Sequence, residues 1–228
     1  MKNIIITGTS RGIGYEMVRI LAEDQEVSIL ALSRTAQPIN ALGIENVTAI
    51  PFNLTKPEDL KEVTDFVEQE WNSQVDILVH NAGKMLKKPF EKIQLAELKK
   101  VFDVNIFGVF ELTKTVLPFM NSNGHIVMNS TMGAVQGSVK FAGLSAYSSS
   151  KAALINLTEV LAEELKEKGP AVNCLAFGAV QTEMFEEAFP GGEAPVSAEE
   201  MADYVIDFAL KGNRLYNGKL LQISNSTP

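Results

Sequence analysis

The sequence alternates short apolar runs with longer amphipathic stretches, and this alternation constrains its fold more than any other feature. Seven short runs are strand candidates, and several of them are rich in Ile and Val and apolar on both sides, as expected for parallel strands covered on both faces. These runs are residues 3–7, 27–32, 47–50, 75–80, 125–129, 171–176 and 219–223. Helical patterns between them cover residues 14–23, 57–71, 95–119, 146–168 and 198–210. The alternation predicts an α/β fold, a doubly wound parallel sheet of about seven strands with helices on both faces.

No internal repeat, low-complexity segment or long linker divides the 228 residues, so we expect a single domain over residues 1–228. Ser197 and Glu200 form a capping-box pattern at the start of the last predicted helix. The least regular stretch, residues 177–195, is rich in Gly and Pro. A long loop late in an α/β chain is more often a functional lid than a disordered surface loop, which stays the alternative. We therefore expect a substrate-loop region around residues 177–196.

Composition narrows the partners and the compartment. Hydrophobic residues make up 46% and charged residues 21% of the chain, as in an ordinary globular protein. A net charge of −8 without a Lys/Arg cluster argues against nucleic-acid binding. No run approaches the roughly 20 apolar residues that cross a bilayer, and the start of the chain does not resemble a signal peptide. The single Cys174 cannot form an internal disulfide, so we expect a cytoplasmic protein. His80 and His125 lack a metal-binding pattern, so we expect no metal.

A glycine-rich turn follows the first predicted strand. It reads Thr7-Gly8-Thr9-Ser10-Arg11-Gly12-Ile13-Gly14 and leads into a helix. Glycines let the chain turn sharply and let backbone amides approach a pyrophosphate, and the helix N-terminus offers unpaired N–H groups to that anion. The turn lacks the Lys-Ser/Thr pair of a P-loop, which argues against a nucleotidase. The sequence therefore predicts a dinucleotide site.

The charge after the second strand bears on which dinucleotide binds. That strand ends at Leu32-Ser33-Arg34, where an acid would accept hydrogen bonds from the 2′-hydroxyl of NAD. No acid lies there. Arg34 can instead form a charge-assisted fork with a 2′-phosphate, and Arg11 is a second candidate cation. The sequence therefore predicts a preference for NADP(H) over NAD(H), against the alternative that both arginines are solvated surface groups.

A tyrosine and a lysine lie four residues apart in the predicted fifth helix. Tyr147 and Lys151 therefore share a helix face. The pKa of a free tyrosine is about 10, which is too high for easy proton exchange at neutral pH. A neighbouring ammonium stabilises the phenolate, so we expect the pKa of Tyr147 to be lowered toward an acid/base range.

Further motifs follow in the order and nearly the spacing of one known family. His80-Asn81-Ala82-Gly83 follows the fourth strand, Asn105 lies in the fourth helix, and Ser130 follows the fifth strand. With the glycine turn and the Tyr–Lys pair, they resemble the short-chain dehydrogenase/reductase family over essentially the whole chain. Residues 130–151 resemble more narrowly the small carbonyl reductases related to bacterial C-factor signalling proteins. The resemblance implies a Rossmann fold and an oxidoreductase that interconverts a carbonyl and an alcohol.

The resemblance also implies a role for each matching residue. Tyr147 would donate the proton in reduction, and Lys151 would bind the nicotinamide ribose and lower the tyrosine pKa. Ser130 would hydrogen-bond the substrate oxygen, and Asn105 would hold a water that links Lys151 to solvent. The implied cofactor-binding residues are Gly8, Ser10, Arg11, Gly12, Ile13, Gly14, Ser33, Arg34, Asn53, Leu54, Asn81, Ala82, Gly83, Tyr147, Lys151, Gly178, Val180 and Thr182.

Three positions depart from the family pattern. His80 stands where Asn is usual, and Asn53 stands where an acid often follows the third strand. Asn53 can still hydrogen-bond adenine. Phe177 replaces the Pro that usually precedes Gly178, and it lacks the fixed φ of Pro.

The catalytic hydroxyl has two candidates. Thr131 adjoins Ser130 and supplies the hydroxyl if the alignment shifts by one residue. We favour Ser130 because Gly133 then falls in register with the family.

Two apolar segments, residues 134–144 and 182–195, would close the substrate pocket. Apolar side chains in and beside them are Met132, Val135, Phe141, Leu144, Met184, Phe185 and Phe189. We therefore expect a small hydrophobic aldehyde or ketone. Lys140 is the one basic residue of these segments, which argues against a highly anionic substrate.

The fourth predicted helix is apolar on more than one side, with Phe102, Phe107 and Phe110 among several valines. This pattern fits core packing or a subunit interface. Because the fourth and fifth helices commonly form an interface in the family, the resemblance implies a homodimer or homotetramer.

One rival function comes from another class. It is an NAD(P)-binding, C-factor-like signalling or regulatory protein with incidental catalysis. A pure binding module has no need of Asn105, Ser130, Tyr147 and Lys151 together, so their joint presence favours the enzyme.

Overall fold

The computed structural model describes residues 1–224. Its strands are β1 (Lys2–Thr7), β2 (Val27–Ser33), β3 (Val47–Pro51), β4 (Val75–His80), β5 (Met120–Thr131), β6 (Ala171–Phe177), β7 (Val180–Gln181), β8 (Val196–Ser197) and β9 (Leu220–Ile223). Its α-helices are α1 (Gly12–Leu21), α2 (Gln37–Asn40), α3 (Leu60–Glu70), α4 (Leu95–Phe102), α5 (Gly108–Val116), α6 (Ser145–Glu164), α7 (Glu183–Ala188) and α8 (Ala198–Lys211).

Seven of the strands form one parallel sheet in the order β3-β2-β1-β4-β5-β6-β9. The strand order reverses between β1 and β4, so the chain winds outward in both directions from the centre. In such sheets a crevice opens at the carboxyl ends of the strands where the order reverses. The predicted doubly wound α/β fold is confirmed, and β7 and β8 pair separately beside it.

Two hydrophobic cores lie on opposite faces of the sheet. Ile4 and Ile6 of β1 pack with α1 and α8 on one face. Ile5 faces the other side and packs with α3, α5 and α6. This alternation explains why β1 is apolar at consecutive positions, because both faces of a central parallel strand are covered. Cys174 is buried in the second core.

Several element boundaries differ from the prediction. The helix predicted at residues 95–119 is divided by a π-helical segment, Asp103–Phe107, between α4 and α5. Gly108, where α5 begins, packs so closely on the Leu54 carbonyl that a Cβ there would lie 2.5 Å from the oxygen. The fifth strand is longer than predicted, and α6 ends at Glu164. The Ser197–Glu200 capping box forms as predicted.

The irregular stretch at residues 177–195 contains a short helix that the sequence did not predict. The Thr182 hydroxyl accepts a hydrogen bond from the Phe185 amide and begins α7. Within residues 1–224, no helix combines the length and apolar character that a membrane crossing requires.

Candidate active site

A cleft of about 620 Å³ lies at the carboxyl ends of the central strands. Most of the predicted site residues line it. They are Gly8, Ser10, Arg11, Gly12, Ile13, Ser33, Arg34, Asn53, Leu54, Asn81, Ala82, Gly83, Ser130, Tyr147, Lys151 and Thr182. Four predicted residues, Gly14, Asn105, Gly178 and Val180, are not among the cleft-lining residues. The cleft thus extends from the glycine turn and the end of β2 to the Tyr–Lys pair on α6.

The glycine turn has the close packing that only glycine permits. Gly8 and Gly12 have φ values of +75° and +57°. A Cβ on Gly14 would lie 2.2 Å from the Gly8 carbonyl oxygen, so helix and turn are in direct backbone contact. The Asn81 side chain donates to the carbonyls of Thr7 and Gly8 at 3.2 Å each. The turn is therefore held by the residue that follows β4 as well as by its own geometry.

The start of α1 opens onto this cleft. Arg11, the residue before the helix, is extended, and no side chain caps the helix. Gly12 and Ile13 of the first turn line the cleft. Unpaired N–H groups and the positive end of the helix dipole suit an anion such as a pyrophosphate.

The two predicted cations both line the cleft but have different surroundings. Arg34 is exposed and forms no ion pair with another residue of the described chain. Arg11 pairs with Glu187 of α7, with Nη1 2.5 Å from Oε1. No local pattern could predict this acidic partner, because it lies 176 residues away in the chain.

Asn53 lies near the same end of the cleft. Its side-chain oxygen accepts hydrogen bonds from the amide and hydroxyl of Thr55 at 3.1 and 3.0 Å. Its backbone amide donates to Asp59 at 2.7 Å. The side-chain NH₂ group is thus the polar group that Asn53 can offer to a base.

Tyr147 and Lys151 lie one turn apart at the start of α6, and both are buried, with exposed fractions of 8% and 4%. The Lys151 ammonium donates to the Asn129 carbonyl at 2.7 Å. Burial raises the pKa of Tyr147 to about 12 and lowers the pKa of Lys151 to about 8. The expected lowering of the tyrosine pKa is therefore wrong for this structure, because burial disfavours the charged phenolate.

The two candidate hydroxyls occupy different places. Ser130 is buried and lines the cleft, and its hydroxyl donates to the Lys151 carbonyl at 3.1 Å. Thr131 is half-buried, is absent from the cleft lining, and accepts a hydrogen bond from the Gly133 amide at 3.3 Å. The cleft therefore brings Ser130, not Thr131, beside the Tyr–Lys pair. To donate to a ligand, the Ser130 hydroxyl must turn away from Lys151.

Asn105 lies in the π-helical segment and is fully buried. Its side-chain oxygen accepts from the Lys84 amide at 2.8 Å, and its NH₂ group donates to the Lys84 carbonyl and to the Ser150 hydroxyl. A Cβ on Gly83 would lie 3.7 Å from both the Asn105 side-chain oxygen and the Lys151 ammonium, so these two groups flank one spot. Asn105 thus joins the loop after β4 to α6 beside Lys151.

Several cleft residues were not predicted from sequence. Asn129 precedes Ser130, and its NH₂ group donates to the Asn81 side chain at 3.2 Å. Its buried side-chain oxygen finds no hydrogen-bond partner within residues 1–224. Lys84 and Lys100 also line the cleft, and both lie outside the segments 134–144 and 182–195 that were predicted to close the substrate pocket. Asn129 could have been recognised as a polar residue at the end of an apolar strand. No sequence motif indicated Lys84 or Lys100.

Comparison with known proteins decides the family. Residues 2–192 match the family described as short chain dehydrogenase. The chain belongs to this family. An uncharacterized oxidoreductase of Staphylococcus saprophyticus is 34% identical over 80% of this chain and 76% of its own length. The short chain dehydrogenase relatives also include the 3-oxoacyl-(acyl-carrier-protein) reductase FabG of Vibrio cholerae, which is 33% identical over 80% of this chain and 75% of its own length.

Solved structures of the short chain dehydrogenase family share the fold. A short chain dehydrogenase from Burkholderia cenocepacia in complex with NADP is 27% identical and superposes with a TM-score of 0.86 over 99% of this chain and 97% of that chain. A Brucella melitensis protein described as glucose/ribitol dehydrogenase has a TM-score of 0.87 over 97% of this chain and 94% of its own, at 20% identity. The second likeness concerns the fold alone.

His80, which replaces the usual Asn of the family motif, is buried behind the cleft. Its Nε2 lies 2.8 Å from the Thr113 hydroxyl, which donates to the Val109 carbonyl. Nε2 therefore carries the proton, and the buried Nδ1 has no partner among the described residues. Burial, and then the charge of Lys151, lower the pKa of His80 to about 3.

We expect His80 to make the fold acid-sensitive. A histidine in the unfolded chain titrates at about 6.5. Below that pH the unfolded chain therefore binds a proton, whereas the buried native imidazole stays neutral. Stability should fall by about 1.4 kcal/mol per pH unit for this group, until the native form protonates near pH 3. Urea unfolding of wild type and His80→Asn at neutral pH and about pH 5 measures the slope. The variant should lose less stability on acidification, and equal losses would contradict the expectation.

Proposed function

We propose that the protein is an NADPH-dependent reductase that interconverts a carbonyl and an alcohol on a small hydrophobic substrate. The observation that carries the proposal is the burial of Tyr147 and Lys151 in one cleft with a glycine turn and an uncapped helix N-terminus. A proton-transfer pair and an anion site in the same cleft suit a dinucleotide-dependent redox reaction.

The cleft suits the dinucleotide in shape and chemistry. Gly8, Gly12 and Ile13 line its phosphate end, and the unpaired buried oxygen of Asn129 lies at the other end, beside Ser130. The predicted cofactor-binding residues that line the cleft would hold the group; Gly14 would pack the turn from behind. When bound, the nicotinamide supplies or accepts the hydride.

The chain's own groups handle the proton. With a pKa of about 12, Tyr147 is a neutral phenol at physiological pH, the form that donates a proton to a carbonyl oxygen during reduction. Lys151 would bind the ribose and offset the phenolate charge that remains. Ser130 would turn toward the substrate oxygen and stabilise charge on it. Asn105 would hold the water that passes a proton to Lys151.

The preference for NADP(H) rests on charge. Arg34 is exposed at the end of β2, lines the cleft and is available to a 2′-phosphate. Neither Ser33 nor Arg34 offers the carboxylate that would accept a 2′-hydroxyl. The Burkholderia relative was solved with NADP, which supports the same preference.

The substrate proposal rests on the two apolar segments predicted from sequence. Phe141 and Phe189 pack with ring centroids 6.1 Å apart, and Phe185 lies 5.3 Å from Phe189, so the two predicted segments meet. Met184 lines the cleft, whereas the three phenylalanines are not among the cleft-lining residues. The apolar character of these segments supports a small hydrophobic aldehyde or ketone as substrate. Because a relative is named as a 3-oxoacyl reductase, 3-oxoacyl thioesters belong among the carbonyls to be tested.

We further propose a single cytoplasmic domain, with residues 177–196 as its substrate-loop region, that assembles as a homodimer or homotetramer. Phe107 and Phe110 are 56% and 48% exposed at the junction of the π-helical segment and α5, which supports a subunit interface there. The regulatory alternative and the C-factor-like subgroup find no support in the relatives described above, which are named as oxidoreductases and reductases.

Removal of the phenol should abolish turnover. We expect Tyr147→Phe to lower kcat by about 100- to 10,000-fold in a carbonyl panel followed by NADPH absorbance, while NADPH still binds. Wild-type binding without turnover across the panel, together with an unchanged biological effect of Tyr147→Phe, would favour the regulatory alternative instead.

The cofactor preference should depend on Arg34. Loss of a charge-assisted hydrogen bond costs roughly ten-fold or more in affinity, so Arg34→Ala should weaken NADPH binding by that factor. NADH binding should change little, and Arg34→Asp should move the preference toward NADH. Equal wild-type rates with the two cofactors would contradict the 2′-phosphate argument.

Light scattering at micromolar concentration tests the assembly. We expect a dimeric or tetrameric mass for the wild type and a smaller mass for Phe107→Glu, because a buried carboxylate opposes association. A monomeric wild-type mass would contradict the proposed interface.

A further inference from the structure

Two cations hold the short helix α7 over the cleft. Arg11 of the glycine turn pairs with Glu187. On the other side, the Lys87 ammonium donates to the Ala188 carbonyl at 2.7 Å and lies 3.9 Å from the centre of the Phe189 ring. The helix therefore bridges the loop after β1 and the loop after β4.

The Arg11 contact lies where a nucleotide phosphate is expected. Arg11, Arg34 and Glu187 all line the cleft, and Glu183 lines it as well. A Cβ on Gly12 would lie 3.4 Å from a Glu183 carboxylate oxygen, so the acidic side of α7 is close to the glycine turn. An anionic ligand at this end of the cleft therefore approaches one guanidinium that already has a carboxylate partner.

We infer that Glu187 weakens the preference for NADPH by competing with the 2′-phosphate of the nucleotide for Arg11. This inference rests on the proposed function, since it concerns the same cofactor site. It assigns Glu187 a positioning role that acts through Arg11, not a contact with the reacting atoms.

The competition follows from the charges. A phosphate monoester carries about 1.5 to 2 negative charges and three acceptor oxygens, so it is a stronger partner for a guanidinium than one carboxylate. The Arg11 and Glu187 side chains are 47% and 63% exposed, and exposed pairs are weak enough to exchange partners. NADH has a neutral 2′-hydroxyl and does not compete, so Glu187 should lower the affinity for NADPH selectively.

The same exchange links cofactor binding to α7. When Arg11 turns to the 2′-phosphate, α7 loses its ion pair with the glycine turn and keeps its hydrogen bond to Lys87. NADH leaves the Arg11–Glu187 pair in place. Helix α7 should therefore be less firmly attached to the glycine turn when NADPH is bound than when NADH is bound.

The test compares nucleotide affinity in matched variants of the full chain. Glu187→Gln removes the partner of Arg11. Glu186→Gln removes the same charge from the preceding position of α7. Glu186 does not line this cleft, and its carboxylate accepts a hydrogen bond from Gln181. Dissociation constants for NADPH and NADH are measured by fluorescence titration at low salt. The pair of variants is repeated in an Arg11→Ala background.

We expect Glu187→Gln to bind NADPH about two- to five-fold more tightly, the range that release of an exposed ion pair allows, with little change for NADH. Glu186→Gln should leave the NADPH/NADH ratio as in the wild type. In the Arg11→Ala background, Glu187→Gln should have no selective effect, because the competition acts through Arg11.

Three results would overturn the inference. An unchanged NADPH/NADH ratio in Glu187→Gln, an equal shift in Glu186→Gln, or a shift that persists without Arg11 would each do so while the proposed function stands. Failure of the wild type to bind either nucleotide would overturn the proposed function, and the inference with it.

Discussion

The buried ammonium of Lys151 is the group on which the rest of the site depends. A charge removed from water must be compensated by hydrogen bonds. The Asn129 carbonyl at the end of β5 provides one, the Asn129 side chain bonds Asn81, and Asn81 holds the carbonyls of the glycine turn. The lysine of the proton-transfer pair is thus connected by successive hydrogen bonds to the loop at the phosphate end. A displaced β5 end would disturb both ends of the cleft.

Burial also decides the chemistry. It raises the pKa of Tyr147 and lowers the pKa of Lys151, and both shifts favour the neutral form of the group. A neutral phenol can donate a proton to a carbonyl oxygen. Lys151, with a pKa of about 8, is mostly charged at neutral pH and can stabilise the phenolate that is left. The chain places the pair on a regular helix and the neighbouring Asn105 in a π-helical segment, a device often found at functional sites.

The parallel sheet and the gathering of its motifs could be predicted because both follow from local pattern. Apolar runs identify strands buried on both faces, and the carboxyl ends of neighbouring parallel strands meet, so Gly8, Asn81 and Ser130 had to converge. Three features could not be predicted. The π-helical segment ends beside Gly108, which packs against Leu54 from a distant part of the chain. The Arg11–Glu187 pair also joins distant parts of the chain, and the tyrosine pKa depends on tertiary burial. Each involves contacts between distant parts of the chain, which no local spacing encodes.

A pH titration of tyrosinate absorbance tests the central claim most directly, with wild type compared to Tyr147→Phe so that the difference isolates one of the four tyrosines. Without nucleotide, we expect Tyr147 to titrate near 12, well above the ordinary value of about 10. NADP⁺ should lower that pKa, because its positive nicotinamide would lie beside the phenol and Lys151. A phenol that titrates at its ordinary value and ignores NADP⁺ would show that Tyr147 is neither buried nor next to the nicotinamide.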